Sequence, residues 1–433
     1  MAKKGELIAA VDFGTRVVRV VITRRTPDGQ TRILGYGAAP TRGCIHFGAV
    51  QDLNAAIQAF RKAYQAATKM AGTSIYSVYC GIQGPNVESC VSEGKATVEN
   101  KKIKAEHLEM ARENATTAAT DMDVRPLSSI MSEEWTVDGV RVADPIGMHG
   151  SLLKGRFFFT QLPKFVENNL CACLESQGLA IEEFVFMPLA AASGCLTCED
   201  IQLGAAVVDL GAAAVGIAVY ANNGISAATA NKWGSGFISN DVAAGLKVTF
   251  EEATELVLEY GINQRRIQAL TQQQHGREEN AKEGAAVPKS PEIKLTRTVT
   301  GAPSTVPRSE LDDIVFERSA EIADRVCGFL KKNHFLDRLA RGIVLTGGGA
   351  AIHNQDALFA VKSDLPVRVG VPVGFDDLPE SLDLPDWAPV MGIVKYALAH
   401  RNAIETGRLL GHNTNGNSLF AYLTRLCGKY FIE

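Results

Sequence analysis

Hydrophobic residues gather in short runs that end at an aspartate and a glycine. Leu7-Ile8-Ala9-Ala10-Val11 meets Asp12-Phe13-Gly14, which predicts a strand over residues 6–14 closing in a tight turn. A second strand follows over 17–23, then Pro27-Asp28-Gly29, a strong hairpin signal, then a third strand from about residue 31 to 38. The same grammar returns at Leu203. One strand ends in Asp209-Leu210-Gly211, a second runs over 215–220, the turn Asn222-Asn223-Gly224 comes next, and a third strand covers 225–230. Two copies of this pattern predict two related halves, with one aspartate from each facing a shared cleft.

Helical stripes follow each copy. Leu53, Ile57, Phe60, Tyr64 and Ala67 share one face, and Gly72 is placed to stop that helix. Leu311, Val315, Ile322, Val326 and Phe329 form a second stripe, with Ser309 and Asp312 as its expected capping box. Both stripes read as core faces. The stretch from about Cys80 to Pro163 interrupts the first half. It reads as a small inserted domain with a helix over Ala105–Ala119 and strands ending in Gly155-Arg156-Phe157-Phe158-Phe159. Residues 272–307 are polar and mostly loop, although Ile293, Leu295, Arg297 and Val299 alternate like an edge strand.

Length and charge narrow the function classes. The 433 residues exceed what one core fills, and 46% of them are hydrophobic. A net charge of -4 offers no basic excess for nucleic acid. The apolar run before Asp12 is too short for a signal peptide or a span, which points to the cytoplasm. The most apolar window, residues 205–221, carries Asp209 and several glycines, so it reads as two strands around a turn. Of the nine cysteines, Cys195 and Cys198 make a lone CxxC without a second ligand pair; reduced structural thiols are the expectation.

Two turns carry phosphate chemistry. Gly14 lets backbone amides approach a phosphate, Thr15 adds a hydroxyl, and Asp12 suits a hydrated magnesium ion. The run Leu345-Thr346-Gly347-Gly348-Gly349-Ala350 ends another apolar strand, and its glycines permit close contact with a nucleotide.

In this order the motifs resemble the actin, heat-shock-chaperone and sugar-kinase ATPase superfamily, and within it the FtsA family, over almost the whole chain. The narrowest signature is Trp135-Thr136-Val137-Asp138-Gly139 followed by Asp144-Pro145-Ile146-Gly147-Met148-His149-Gly150. Residues 240–246, Phe250-Glu251-Glu252-Ala253, residues 366–372 and Pro389-Val390-Met391-Gly392 also fit. The resemblance implies an α/β fold of duplicated actin-like (ribonuclease H-like) halves, an inserted small α+β subdomain and a C-terminal amphipathic helix. Subdomain 1A would take residues 1–80 and 164–202, with 387–400 returning to it, and 1C would take 81–163. Subdomain 2A would take 203–245 and 309–386, and 2B would take 246–308. A flexible linker (401–417) and a membrane-targeting helix (418–433) would follow.

The resemblance further implies ATP with magnesium as ligand, held by Asp12, Gly14, Thr15, Asp209, Gly211, Glu252, Gly347, Gly348 and Gly349, with Asp12 and Asp209 on the magnesium side. It implies as partners the C-terminal peptide of the ring protein FtsZ, other copies of the chain in filaments, other division proteins and the cytoplasmic face of the inner membrane. The tail supports that last partner. Ser418 can cap a helix whose stripe is Leu419, Leu423, Leu426 and Tyr430, widened by Phe420, Cys427 and Phe431. Such a helix either docks on protein or lies in the headgroup plane; position and resemblance favour the membrane.

Departures from the family weaken catalysis. The second phosphate loop reads Asp209-Leu210-Gly211-Ala212-Ala213-Ala214-Val215-Gly216, without the family's hydroxyls and second acid. Met187 stands where the family has a glutamate, and Val257 where it has a nucleotide-facing lysine. The expectation is a membrane-tethered division adaptor with negligible turnover. A working actin-fold ATPase or kinase, and an actin-like component of pilus or secretion machinery, are the competing readings.

Overall fold

The computed structural model describes residues 6–26, 29–85, 87–99, 102–119, 124–142, 144–221, 224–274, 290–299 and 301–405. The predicted turn residues Pro27, Asp28, Asn222 and Asn223 lie outside them, as does the whole C-terminal tail from residue 406, including Leu419, Phe420, Leu423, Leu426, Tyr430 and Phe431.

The first half opens with β1 (Glu6–Phe13), β2 (Val17–Arg25) and β3 (Thr31–Pro40). Two short strands, β4 (Ile45–His46) and β5 (Ala49–Val50), lead to α1 (Leu53–Ala71) and β6 (Ser77–Ile82). Helix α1 ends where expected and starts on a side-chain cap. Asp52 accepts from the Ala55 amide at the start, and Gly72 takes φ 60° at the finish. Of its predicted stripe, Phe60 and Ala67 are buried, Ile57 and Tyr64 are half-buried against the first-half core, and Leu53 is exposed.

The insertion follows as β7 (Glu88–Thr97), α2 (Ala105–Ala119), β8 (Val124–Val137), β9 (Val140–Val142) and β10 (Leu152–Pro163). These strands form their own sheet, ordered β7-β10-β8-β9. Trp135, Phe157 and Phe159 fill a core separate from the body, with Trp135 edge-on to Phe157 at 5.6 Å between ring centroids. Cys80 is not part of the insertion. It lies in β6, paired with Val11 and Phe184 in the body sheet, because its run of buried residues continues to Ile82. The signature residues brace a turn. The Asp138 carboxylate accepts from the amides of Ser151 and Leu152, tying the two signature segments together.

The chain returns through α3 (Lys164–Glu175), β11 (Ala180–Phe186), α4 (Met187–Cys195) and α5 (Cys198–Leu203). Cys195 is a free, buried thiol whose Sγ donates to the Ala191 carbonyl, whereas Cys198, against the expectation of reduced thiols, is disulfide-bonded.

The second half repeats the first. Its elements are β12 (Ala205–Leu210), β13 (Val215–Ala221), β14 (Gly224–Asn231), α6 (Gly236–Leu246), α7 (Phe250–Tyr260) and α8 (Gln264–Gln274). Then come β15 (Glu292–Leu295), β16 (Ser304–Pro307), α9 (Arg308–Lys332), β17 (Ile343–Thr346), α10 (Gln355–Ser363), β18 (Val367–Val369) and α11 (Ala388–Glu405). The two body sheets are ordered β11-β6-β1-β2-β3 and β14-β13-β12-β17-β18. In each, the first strand is central, antiparallel to its hairpin partner and parallel to the later strand. The predicted duplication is therefore a topological identity, and the apolar window at 205–221 is a pair of buried strands. No helix among the described residues is long and apolar enough to cross a membrane.

Three expectations need correction. Ser309 and Asp312 form no capping box: α9 starts two residues earlier, with Pro307 at its cap position, and Asp312 accepts instead from Asn263 and Arg308. The edge strand stops at Leu295, with Ile293 and Leu295 buried and Arg297 beyond it. Residues 401–405 belong to α11 rather than to a linker. Arg401 holds that end down through Glu6, Glu182 and the Leu7 carbonyl.

Candidate nucleotide cleft

Equivalent strands place the two aspartates equivalently. Asp12 is the penultimate residue of β1, opposite Arg19 of β2 and Gly81 of β6. Asp209 is the penultimate residue of β12, opposite Gly216 of β13 and Thr346 of β17. The duplicated fold turns these strand ends toward each other. Burial pushes the Asp12 carboxyl up to about 6, opposed by Arg19 and reinforced by Asp386. Burial, and then the Asp12 charge, push Asp209 up to about 7, opposed by Gln83 and Arg19.

The surrounding groups fix their orientation. Gln83 Nε2 donates to Asp209 Oδ2 at 3.0 Å. Arg19 pairs with Asp386 and lies 5.4 Å from the Trp387 ring centroid. A Cβ at Gly347 would stand 2.2 Å from Asp209 Oδ1, and Gly347 has φ 78°, so only glycine fits there. The Gly347 amide donates to the Pro385 carbonyl. Gly348, the next residue, opens a short 3-10 turn, and a side chain there would meet nothing.

The remaining predicted residues divide. Gly14 and Thr15 form the β1–β2 turn, and the Thr15 carbonyl accepts from Thr41 Oγ1. Gly211 begins the second turn, whose shape is held by the Ser235 amide donating to its carbonyl. Glu252 is taken up elsewhere. Its carboxylate accepts from Thr296 N at 2.6 Å, Thr296 Oγ1 at 3.1 Å and Arg297 N at 2.5 Å, and so staples α7 to the end of β15. Burial raises that carboxyl, but these bonds outweigh it and hold it below its ordinary range.

The substituted positions are apolar in surroundings as well as in kind. The Met187 sulfur fills the space above Gly81, Val257 lies in the second-half core, and Ala213 and Ala214 are buried. Sequence reasoning missed Gln83, Arg19 and Ser235. The flanking glycines in Gly234-Ser235-Gly236 were an available signal for the last, whose Oγ points at the Leu210 and Gly211 carbonyls. Nothing local marks Gln83, because its role depends on a partner 126 positions away.

Comparison with known proteins bears on the family and the fold. The family described as cell division protein FtsA matches residues 206–392, and the SHS2 domain inserted in FTSA matches residues 84–159. The cell division protein FtsA of Pseudomonas aeruginosa is 25% identical over 397 residues, covering 92% of this chain and 90% of that one. Its counterpart in Neisseria meningitidis serogroup B is 29% identical over 399 residues, covering 92% and 91%. Among solved structures, the PilM-PilN type IV pilus biogenesis complex superposes with TM-score 0.59 at 14% identity, over 89% of this chain and 97% of that one. MreB5 of Spiroplasma citri bound to ADP gives 0.53 at 13% identity, over 93% and 99%. At such identity the structures speak for the actin-like fold alone.

Proposed function

This chain belongs to the FtsA family of cell-division proteins, and we propose that it tethers the FtsZ ring to the cytoplasmic face of the cell membrane and helps assemble the division machinery. One observation carries the reading: sequence likeness spans both the inserted domain and the second half, while Met187, Ala213, Ala214 and Val257, which stand at the family's catalytic positions, are buried and apolar. The pilus and secretion alternative has only a likeness of fold behind it.

The subdomains divide the work in this reading. The C-terminal peptide of FtsZ docks on 2B, here α7, α8, β15 and β16. The inserted 1C sheet contacts a neighbouring copy in a filament or another division protein. The tail lies in the headgroup plane. Its two basic residues, Arg425 and Lys429, add about 1 kcal/mol each at an anionic surface. One such helix is a weak anchor, so filament formation multiplies it through effective concentration.

ATP is a structural ligand on this account. The raised pair Asp12 and Asp209 suits a magnesium ion, which would supply charge neutralisation at the phosphates. Gly14, Thr15, Gly211, Gly348 and Gly349 would face the phosphates. Glu252 would support the site through α7 rather than touch the ligand, since its oxygens are already engaged.

The docking half of the proposal is tested by a pull-down with immobilised FtsZ C-terminal peptide. Retention of the chain, lost on competition with free peptide, supports it. Absence of retention by a folded chain contradicts it.

A further inference from the structure

Arg16 sits in the β1–β2 turn, one residue past Thr15, and its side chain leaves the first half. Its Nη1 donates to Thr254 Oγ1 on α7 at 2.9 Å, across 238 positions of sequence. Its guanidinium carbon lies 4.5 Å from the centroid of the Phe250 ring, a cation–π distance. Both ends are fixed. Thr254 Oγ1 donates to the Phe250 carbonyl at 2.8 Å, which orients the acceptor. The Arg16 carbonyl accepts from the Thr41 amide at 2.9 Å, which holds the turn. The guanidinium is half-buried. Burial lowers its pKa and Glu251 opposes that, so the cation is retained beside α7.

The two halves meet at other points. Gln83 reaches Asp209 on the cleft floor, Lys232 stands 5.7 Å over the Phe47 ring, and Ser89 of the insertion donates to the Ala228 carbonyl of β14. The Arg16 contact differs from these in joining the first phosphate turn itself to the helix on the facing half.

We propose that Arg16 is a cross-cleft latch: its contact with Phe250 and Thr254 holds the two halves closed, and the cleft opens when the guanidinium lets go. The latch belongs to the ligand-free chain and is independent of the membrane and FtsZ reading. A cation–π contact and a half-buried hydrogen bond together shift a two-state equilibrium by about tenfold.

The test uses the full chain without nucleotide. Spin labels carried on non-natural amino acids at Arg61 of α1 and Arg265 of α8, both exposed, report the distance between halves. Arg16→Ala is expected to raise the longer-distance population about tenfold. Phe250→Leu and Thr254→Val should move it the same way by less, and Arg16→Ala with Phe250→Leu should match Arg16→Ala alone. Should Arg16→Ala unfold the chain, Phe250→Leu and Thr254→Val carry the test. An unchanged distance distribution in the folded variants, or full additivity of Arg16→Ala and Phe250→Leu, overturns the latch.

Discussion

Gln83 donates its side-chain amide to Asp209 at 3.0 Å and so joins the end of β6 in the first half to the end of β12 in the second. The bond occupies one oxygen of an acid that is otherwise pressed against Gly347 and repelled by Asp12. It orients the carboxylate without neutralising it, and a pH dependence follows.

Asp209 rises from 3.8 to about 7 on folding, so the folded state binds its proton more tightly than the unfolded chain does. Stability from this group is complete below the unfolded value and is lost as pH rises toward about 7. Thermal melts of the ligand-free chain should show the stability of Asp209→Asn relative to the parent rising by on the order of 1–3 kcal/mol between about pH 5 and pH 8. Magnesium should stabilise the parent more at the higher pH. A difference between variant and parent that does not grow from the lower pH to the higher would contradict the assignment.

Hydrolysis should be negligible. Met187 cannot order a water, and the second turn offers Ala214 and Val215 where a hydroxyl is wanted. Each missing electrostatic group typically costs about 10²–10³ in rate. Steady-state phosphate release on lipid should stay near background even where calorimetry detects ATP binding. Sustained turnover on the order of 1 s⁻¹, abolished by Asp12→Ala, would show the site to be catalytic.

The inserted domain should unfold on its own. Trp135 is buried in a core that holds no residue of either half. Trp135→Ala is expected to cost about 3–5 kcal/mol there, in line with other large-to-small core changes. Hydrogen exchange should then quicken across β7 and β10 while β1 and β12 stay protected. Loss of protection in all four strands at once would mean that the insertion is not an independent unit.

Much of this was legible in sequence because it repeats. The strand–Asp–x–Gly–strand grammar around Asp12 and Asp209 predicted both hairpins, and Gly72 ended α1 as expected. Local patterns were less reliable at helix starts. Ser309 and Asp312 have capping-box chemistry, yet Pro307 sets the start and Asn263 claims the carboxylate. Glu252 shows the same limit at the site. Its place in the motif says nothing of the Thr296 and Arg297 amides that fold back onto it. Arg16, Arg19 and Gln83 act through partners far away in sequence, and no periodicity marks such pairs.

The tail prediction rests on the stripe Leu419, Leu423, Leu426 and Tyr430 beyond the end of α11. Removing residues 418–433 should abolish flotation on phosphatidylglycerol vesicles and leave the thermal melt of the body unchanged. Equal flotation of the shortened chain would place the lipid contact elsewhere.

Co-flotation of FtsZ tests the tether most directly. Purified FtsZ, this chain and anionic vesicles are mixed and spun through a density gradient. The account predicts that FtsZ rises with lipid only when the full chain is present, and stays at the bottom with Leu423→Glu/Leu426→Glu. FtsZ left at the bottom despite a lipid-bound, folded full chain would contradict it, and so would equal recruitment by the double variant.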